Sequence, residues 1–428
     1  MRVAFATLGC KVNHYETQAM QELFEKAGWT VTPFQDAADA YVINTCTVTQ
    51  TSDGKSRQMI SRAHKANPDA VIAVVGCYAQ VDPAAVAALP GVDVVIGTDG
   101  RKQIVEAVTA ALHGQPADAQ TGGNGEIIPQ HTRTFENLSA VRDGRTRATL
   151  KIQDGCVNYC TYCIIPYARG PLRSRPLEDI RRELTTLAEE GYREVVLTGI
   201  HLASYGRDLG DCALLDVLAL TREIDGLARV RLGSLEPRYV DERFAQAAAE
   251  NPKICRQFHL SLQSGSDTVL ARMKRKYDTR EYAGSVALLR SAMPDCAVTT
   301  DVIAGFCGET EQEHRESMAF CQQMAFARMH VFPFSVRRGT KAAEMEGQLP
   351  QALKEERARE LIALGKRLTD QFLKSQLGTE QTVLVERNGR GYTGNYIHVQ
   401  TTGREGELLR VVLTEIEQET VVGKELNE

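Results

Sequence analysis

The chain has 428 residues, 43% of them hydrophobic and 25% charged, with a formal net charge of −5. By the usual length prior this leaves room for about two or three domains with sizeable cores. The acidic balance excludes a general electrostatic attraction for nucleic acid, so any such partner must be held by local basic patches.

No apolar run approaches the ~20 residues that a membrane span needs. The start, Met1-Arg2-Val3-Ala4, runs straight into a strand-like segment without the regions of a signal peptide. The expected location is the cytoplasm, with no membrane partner. Eleven cysteines in a large chain of this kind serve better as thiolate ligands than as disulfide partners.

Residues 1–113 alternate strand and helix signals. Residues 3–8, 41–44 and 71–75 are short runs rich in β-branched side chains, as buried parallel strands are. Met20, Leu23, Phe24 and Ala27 fall at helical spacing, with Gly28 as a C-terminal stop. A second helix is expected to start near Ser52 as its N-cap. This pattern predicts a doubly wound α/β domain. Cys10, Cys46 and Cys77 each follow one of its strands. In an open parallel sheet the strands' carboxyl ends share one edge, where ligands bind. Three distant cysteines can therefore converge there, although buried core thiols would fit the same positions.

Residues 114–133 read as a polar linker. Beyond it, Cys156-Val-Asn-Tyr-Cys160-Thr-Tyr162-Cys163 spaces three thiols as CxxxCxxC after the apolar residues 148–152. So short a loop brings three soft ligands toward one point and supplies no fourth cysteine nearby, which leaves one coordination position open. A zinc knuckle with a distant fourth ligand, or a redox pair at Cys160 and Cys163, is the alternative.

From 134 to 340 the strand and helix signals repeat, with strands expected at 148–152, 194–198, 230–233, 258–262, 298–303 and 330–334. Six such units suggest a partial barrel open on one side. Polar residues and glycines gather at the strand ends, where barrels do their chemistry. A long helix is expected within 341–377. Alternating strands follow at 382–385, 392–399, 407–413 and 419–422, which predicts a small antiparallel β-barrel of the type that grips RNA, or a plain structural cap. Candidate basic patches are residues 169–175, 272–276 and 354–374. Taken singly, each reads as a solvated face as readily as a binding surface.

Thr7-Leu8-Gly9-Cys10-Lys11-Val12-Asn13, the Cys46 and Cys77 positions, the CxxxCxxC, Ser261-Leu262-Gln263-Ser264-Gly265-Ser266 and the terminal barrel together resemble the radical S-adenosylmethionine (SAM) methylthiotransferases over essentially the whole chain. The run from Leu8 to Glu16 points to the MtaB-type branch, which converts N6-threonylcarbamoyladenosine beside the tRNA anticodon to its 2-methylthio form. The resemblance implies a methylthiotransferase domain at 1–113, a linker at 114–133, a radical SAM domain with its trailing helix at 134–377, and a TRAM-like RNA-binding barrel at 378–428.

It also implies two [4Fe-4S] clusters. Cys156, Cys160 and Cys163 would hold the one whose open iron chelates SAM, and Cys10, Cys46 and Cys77 the one that presents sulfur. By the same resemblance, Tyr162, Thr198, Gly199, Glu236, Gln263, Arg275 and Asp301 contact SAM, with the segment from Asp301 to Gly305 as an apolar platform under its adenine. Arg387, Arg390, Arg404 and Arg410 are the RNA-binding candidates, and no general base can be named.

The adenine C2–H is neither acidic nor attached to a leaving group, so a radical must activate it, and the cofactor supplies one. The partners expected are tRNA, an electron donor such as flavodoxin or ferredoxin, and a sulfur donor. Related branches act on isopentenyladenosine in tRNA or on an aspartate of a ribosomal protein. An iron-sulfur electron carrier or a redox-responsive RNA-binding protein is the non-enzymatic alternative.

Overall fold

In a computed structural model that describes residues 1–115, 121–122, 126–127, 131–140 and 146–426, the chain forms two units whose limits cut across the sequence. The first gathers Met1–Asp143, Gln153–Arg175 and Ser335–Ala343, and the second Gly144–Ile152, Pro176–Phe334 and Glu344–Glu428.

The first unit is built on five parallel strands in the spatial order Thr30–Thr32, Arg2–Thr7, Ala40–Thr45, Val71–Gly76 and Val94–Ile96. Successive side chains enter opposite cores. Val3, Val42, Ala73 and Val75 pack with Met20, Phe24 and Val108 on one face, while Ala4, Ile43, Ile72 and Val74 pack with Ile60 and Ala63 on the other. Both faces are covered, as an all-parallel sheet requires. The winding reverses between Arg2–Thr7 and Ala40–Thr45, so the loops that leave these two strands diverge and open a crevice.

The helix after Ala40–Thr45 spans Gln50–Ala66 and is capped by Thr49, whose hydroxyl accepts the Ser52 amide at 3.2 Å. Ser52 therefore lies inside the first turn and is not the N-cap. Thr49 takes that place because its extended backbone lets the side chain reach back over the open amides. The expected linker at 114–133 falls largely outside the described residues. Within it, Thr121–Gly122 pairs antiparallel with Glu126–Ile127.

The first expected basic patch is interior. Arg169, Arg173 and Arg175 are only 0%, 1% and 2% exposed, which rules this stretch out as a nucleic-acid surface. Their acidic partners come from distant sequence: Arg173 is paired with Asp99, and Arg101 nearby holds Glu136 at 3.0 Å.

In the second unit, Glu194–Gly199 runs parallel to Arg229–Leu232, with Arg147–Asp154 on the other side of Glu194–Gly199 in the sheet order. Gln257–His259, Ala297–Ala304 and Arg328–Pro333 form a second parallel group. Isolated bridges from Val230 to Ile254 and from Leu235 to Leu260 join the two groups, giving six strands in a partial barrel. The long helix spans Gln351–Gln376, within the expected 341–377. Residues 344–350 are irregular, with Gly347 at φ +75°, and lead to Pro350, its N-cap. Its Leu361, Leu364 and Leu368 are buried, but so are Lys354 and Arg357, the latter 2.9 Å from Glu309. Arg272 is likewise held by Glu313 at 2.8 Å, so part of each remaining basic stretch is committed to ion pairs or the interior.

The chain ends in a closed barrel of Glu380–Val385, Arg390–Thr393, His398–Gln400, Thr420–Glu425 and Leu408–Glu417 in spatial order. Its core holds Val383, Val385, Ile397, Val399, Val411 and Val421. The single strand expected at 392–399 is two strands joined by a turn, in which Tyr396 has φ +69°.

The buried pair in the first unit generates a pH dependence. Burial works to raise the Asp99 carboxyl, but His131 and the Arg173 and Arg101 cations overcome it and hold it at about 2 against an ordinary 3.8. A carboxyl depressed in the folded state stabilises the fold above its unfolded pKa, and that contribution is lost as pH falls through the folded value. Metal-free protein should therefore lose about 2 kcal/mol between roughly pH 4 and pH 2 through this group alone. In urea titrations across that range, Asp99→Asn should be less stable at neutral pH and show a shallower acid loss; equal acid slopes would contradict the assignment.

Candidate cluster and cofactor sites

Each cysteine of the N-terminal sheet lies where a strand ends. Cys10 is the N-cap of the helix Lys11–Lys26. Cys46 directly follows Ala40–Thr45, so Cys10 and Cys46 flank the crevice where the winding reverses. Cys77 follows Val71–Gly76 and opens the short helix Cys77–Val81.

Two glycines allow the close approach. A Cβ on Gly9, which has φ +103°, would stand 2.9 Å from Cys46 Cβ, and one on Gly76, with φ +94°, would stand 2.4 Å from Asn44 Oδ1. The three thiols lie within electrostatic reach of one another. Burial pushes the Cys46 thiol up, and a charge on Cys10 pushes it further. Burial drives Cys77 to about 12, with Cys10 and Cys46 adding to the shift and Arg169 opposing it.

Arg169 lies six residues beyond Cys163 and is fully buried. Its Nε–H donates to Cys77 Sγ at 3.3 Å. Its two terminal nitrogens donate to Glu16 Oε1 at 2.5 Å and Oε2 at 3.1 Å, to Asn13 Oδ1 at 2.5 Å and to Asp154 Oδ2 at 3.4 Å. Burial works against this cation, but Cys77, Glu16 and Asp154 outweigh it and hold its pKa well above the usual arginine value. Sequence reading missed this residue as a site component because only its basic neighbours were visible.

The CxxxCxxC loop belongs to the same unit. Cys160 is buried, while Cys156, Tyr162 and Cys163 are half-buried. The loop is closed at both ends, with the Cys156 amide donating to Gly170 O at 3.1 Å and the Cys163 amide to Cys160 O at 3.0 Å. Gly155, with φ +74°, lies against Pro171 so closely that a Cβ would fall 1.8 Å from the Pro171 carbonyl oxygen. The Tyr159 and Tyr167 rings meet edge to face at 5.7 Å, 46% and 54% exposed.

None of the eleven cysteines is in a disulfide. Among the described residues no group of three or more histidine, cysteine or acidic side chains closes on a single metal ion. Two sets of three thiols suit a cluster better, because each thiolate of a [4Fe-4S] cube binds a different iron and the sulfurs stand farther apart than ligands of one ion. A thiol as buried as Cys77 also needs a strongly cationic ligand before it gives up its proton.

Apart from Tyr162, the residues expected at SAM lie in the second unit. Thr198 and Gly199 end Glu194–Gly199, with Thr198 buried. Glu236 follows Arg229–Leu232 and accepts from His201 Nε2 at 2.8 Å, while His201 Nδ1 is 2.6 Å from Ser204 Oγ. Gln263 is in the left-handed region at φ +70°. Its amide donates to Asp301 O at 2.9 Å, and its carbonyl accepts from the Ile303 amide at 2.8 Å. Such strain persists only where the surroundings over-determine the backbone.

Arg275 Nε donates to the Tyr277 hydroxyl at 3.0 Å, and Tyr277 in turn donates to Leu262 O at 2.8 Å. Arg275 is thereby tied to the strand end that carries Gln263. Asp301 lies within Ala297–Ala304 and meets His259 Nε2 at 3.2 Å. His201 and His259 had not been singled out from the sequence, where a lone histidine carries no pattern. The four barrel arginines are exposed, but Arg410 lies 2.9 Å from Glu380 and Arg387 lies 3.7 Å from Glu405.

Two family models match the chain: uncharacterized protein family UPF0004 over residues 2–97 and the Radical SAM superfamily over residues 150–321. The threonylcarbamoyladenosine tRNA methylthiotransferase MtaB of Bacillus subtilis is 43% identical over 97% of this chain and 93% of that protein. The protein of the same name from Thermotoga maritima is 37% identical over 98% of this chain and 96% of that one. A tRNA-2-methylthio-N(6)-dimethylallyladenosine synthase of Rhodococcus jostii is 36% identical over 95% of this chain and 85% of its own.

Among solved structures, the radical SAM methyltransferase TsrM from Kitasatospora setae has a TM-score of 0.58 at 18% identity, covering 78% of this chain and 74% of that one. This last likeness is one of fold alone. With relatives of this identity matched nearly end to end, the chain belongs to the radical SAM methylthiotransferases, in the MtaB branch.

Proposed function

We propose that this protein installs a methylthio group at C2 of N6-threonylcarbamoyladenosine beside the tRNA anticodon. The observation that carries the reading is the gathering in one unit of two separate sets of three cysteines, each one ligand short of a cluster's four. When bound, SAM and the two [4Fe-4S] clusters supply the radical, the methyl group and the sulfur that protein side chains cannot.

The chain's own residues bind and orient. Cys156, Cys160 and Cys163 hold the cluster that reduces SAM, and Cys10, Cys46 and Cys77 hold the sulfur-bearing one. Arg275 offers a planar fork to the SAM carboxylate, Glu236 accepts from a ribose hydroxyl, and Thr198 and Gly199 meet the amino group. Gln263, beyond the strand Gln257–His259, presents its backbone, Asp301, within Ala297–Ala304, its carboxylate, and Tyr162 packs against the cofactor. Residues 1–113, 134–377 and 378–428 are the corresponding functional parts, with 114–133 linking the first two. An external flavodoxin- or ferredoxin-like donor provides electrons, a separate donor restores the sulfur, and the work is done in the cytoplasm.

The tRNA is held in two ways. Arg387, Arg390, Arg404 and Arg410 of the terminal barrel attract phosphates, and the exposed Tyr159 and Tyr167 rings offer faces on which unpaired bases stack. The reading with isopentenyladenosine as substrate is kept by the likeness to the Rhodococcus jostii synthase.

Two experiments test these roles. Cys160→Ala should abolish both 5′-deoxyadenosine and methylthio product. Cys77→Ala, checked for folding by circular dichroism and for retention of about half the iron, should still cleave SAM but form no product; normal product from it would contradict the division of labour. Replacing the four barrel arginines by alanine should weaken tRNA binding and lower its salt slope by about one for each phosphate no longer neutralised, with SAM cleavage intact. Unchanged affinity would remove the barrel from RNA binding.

A further inference from the structure

Arg169 spends every one of its five N–H donors inside the protein. Nε–H goes to Cys77 Sγ, one terminal nitrogen to Glu16 and Asp154, and the other to Asn13 and Glu16. No atom of it is exposed or left unpaired.

The partners divide between the two cysteine sets. Asn13 and Glu16 lie on the helix headed by Cys10, and Cys77 is a ligand of the same set. Asp154 precedes the CxxxCxxC loop and Arg169 follows it, so the two ends of that loop are tied to each other and to the N-terminal sheet. Glu16 is fixed from its other side by Arg101 Nη1 at 2.6 Å. Behind the guanidinium stand carboxylates, and toward the sulfur it turns an N–H.

We propose that Arg169 is a positioning residue that holds the Cys77 thiolate and, by its N–H···S bond, sets the reduction potential of the cluster bound by Cys10, Cys46 and Cys77. This rests on the proposed function above. An electron added to an iron-sulfur cluster raises the charge on its sulfurs, and a hydrogen bond to a ligand sulfur favours that reduced form. The nearby carboxylates largely offset the guanidinium's net charge, so the direction of the N–H, more than the bare cation, provides the effect. A lysine would keep the charge but has neither the planar fork nor enough donors to satisfy all five acceptor positions.

The test is an EPR-monitored redox titration of the reconstituted full-length protein, with SAM added to mark the signal of the other cluster. Glu16→Gln with Arg169→Gln removes the ion pair without burying a lone carboxylate, and Arg101 keeps Glu136 as its partner. In this double variant the N-terminal cluster should titrate at a more negative potential than wild type while the SAM-binding cluster is unmoved. Arg169→Lys should shift it the same way by a smaller amount.

Both clusters assembled with unchanged potentials in both variants would overturn the proposal, as would equal shifts of the two clusters, which would indicate general loosening. If Arg169→Lys loses the N-terminal cluster alone from a folded protein, the thiolate-holding role is supported; loss of both clusters overturns it. A wild-type protein that assembles only one cluster would instead defeat the proposed function, so the two failures are distinguishable.

Discussion

The first unit depends on a buried exchange of charge. Taking a guanidinium and a carboxylate out of water costs several kcal/mol for each ion unless close geometry and further hydrogen bonds offset it. Arg169 and Glu16 meet that condition: all five donors of the arginine are engaged, and the Glu16 carboxylate is shared with Arg101. An arrangement this demanding leaves little freedom to the segments it joins, namely the helix behind Cys10, the strand end at Cys77 and the flanks of the Cys156–Cys163 loop. Segments far apart in sequence are thereby tied to one buried guanidinium.

Topology supplies the other half. A doubly wound parallel sheet delivers its loops to one edge and parts them where the winding reverses. Cys10 and Cys46 flank that crevice and Cys77 follows the next strand, so three cysteines far apart in sequence converge with no local motif. The second unit repeats the principle, since Thr198, Glu236 and Gln263 all lie at or just beyond strand ends. The left-handed backbone of Gln263, pinned to the Asp301 carbonyl and the Ile303 amide, shows that this edge is held in a conformation a free chain would avoid.

Much of this was legible in the sequence because it was written in short-range pattern. Runs of β-branched residues marked the strands, a cysteine after three of them marked the edge, and CxxxCxxC marked an incomplete ligand set. What escaped had long-range causes. Arg169, Arg173 and Arg175 read as a surface patch because the groups that hold them inside, among them Glu16, Asp99, Asp154 and the Tyr15 hydroxyl, are dispersed along the chain. His201 and His259 gain meaning only beside Glu236 and Asp301. The split of 392–399 into two strands falls at Gly394-Asn395, just before the left-handed Tyr396, a turn signal masked by the apolar and aromatic residues on either side, and Thr49 displaced Ser52 as a cap because capping is decided by backbone conformation as well as residue type.

In the proposed function these two sets of cysteines serve one modification of one nucleoside. The most direct measurement is mass spectrometry of nucleosides from tRNA carrying N6-threonylcarbamoyladenosine, incubated with reconstituted protein, SAM, a reductant and a sulfur source. N6-threonylcarbamoyladenosine should be converted to its 2-methylthio form, with isopentenyladenosine in the same tRNA pool left unchanged. Methylthiolation of isopentenyladenosine alone, or SAM cleavage with no modified nucleoside, would contradict the proposed function.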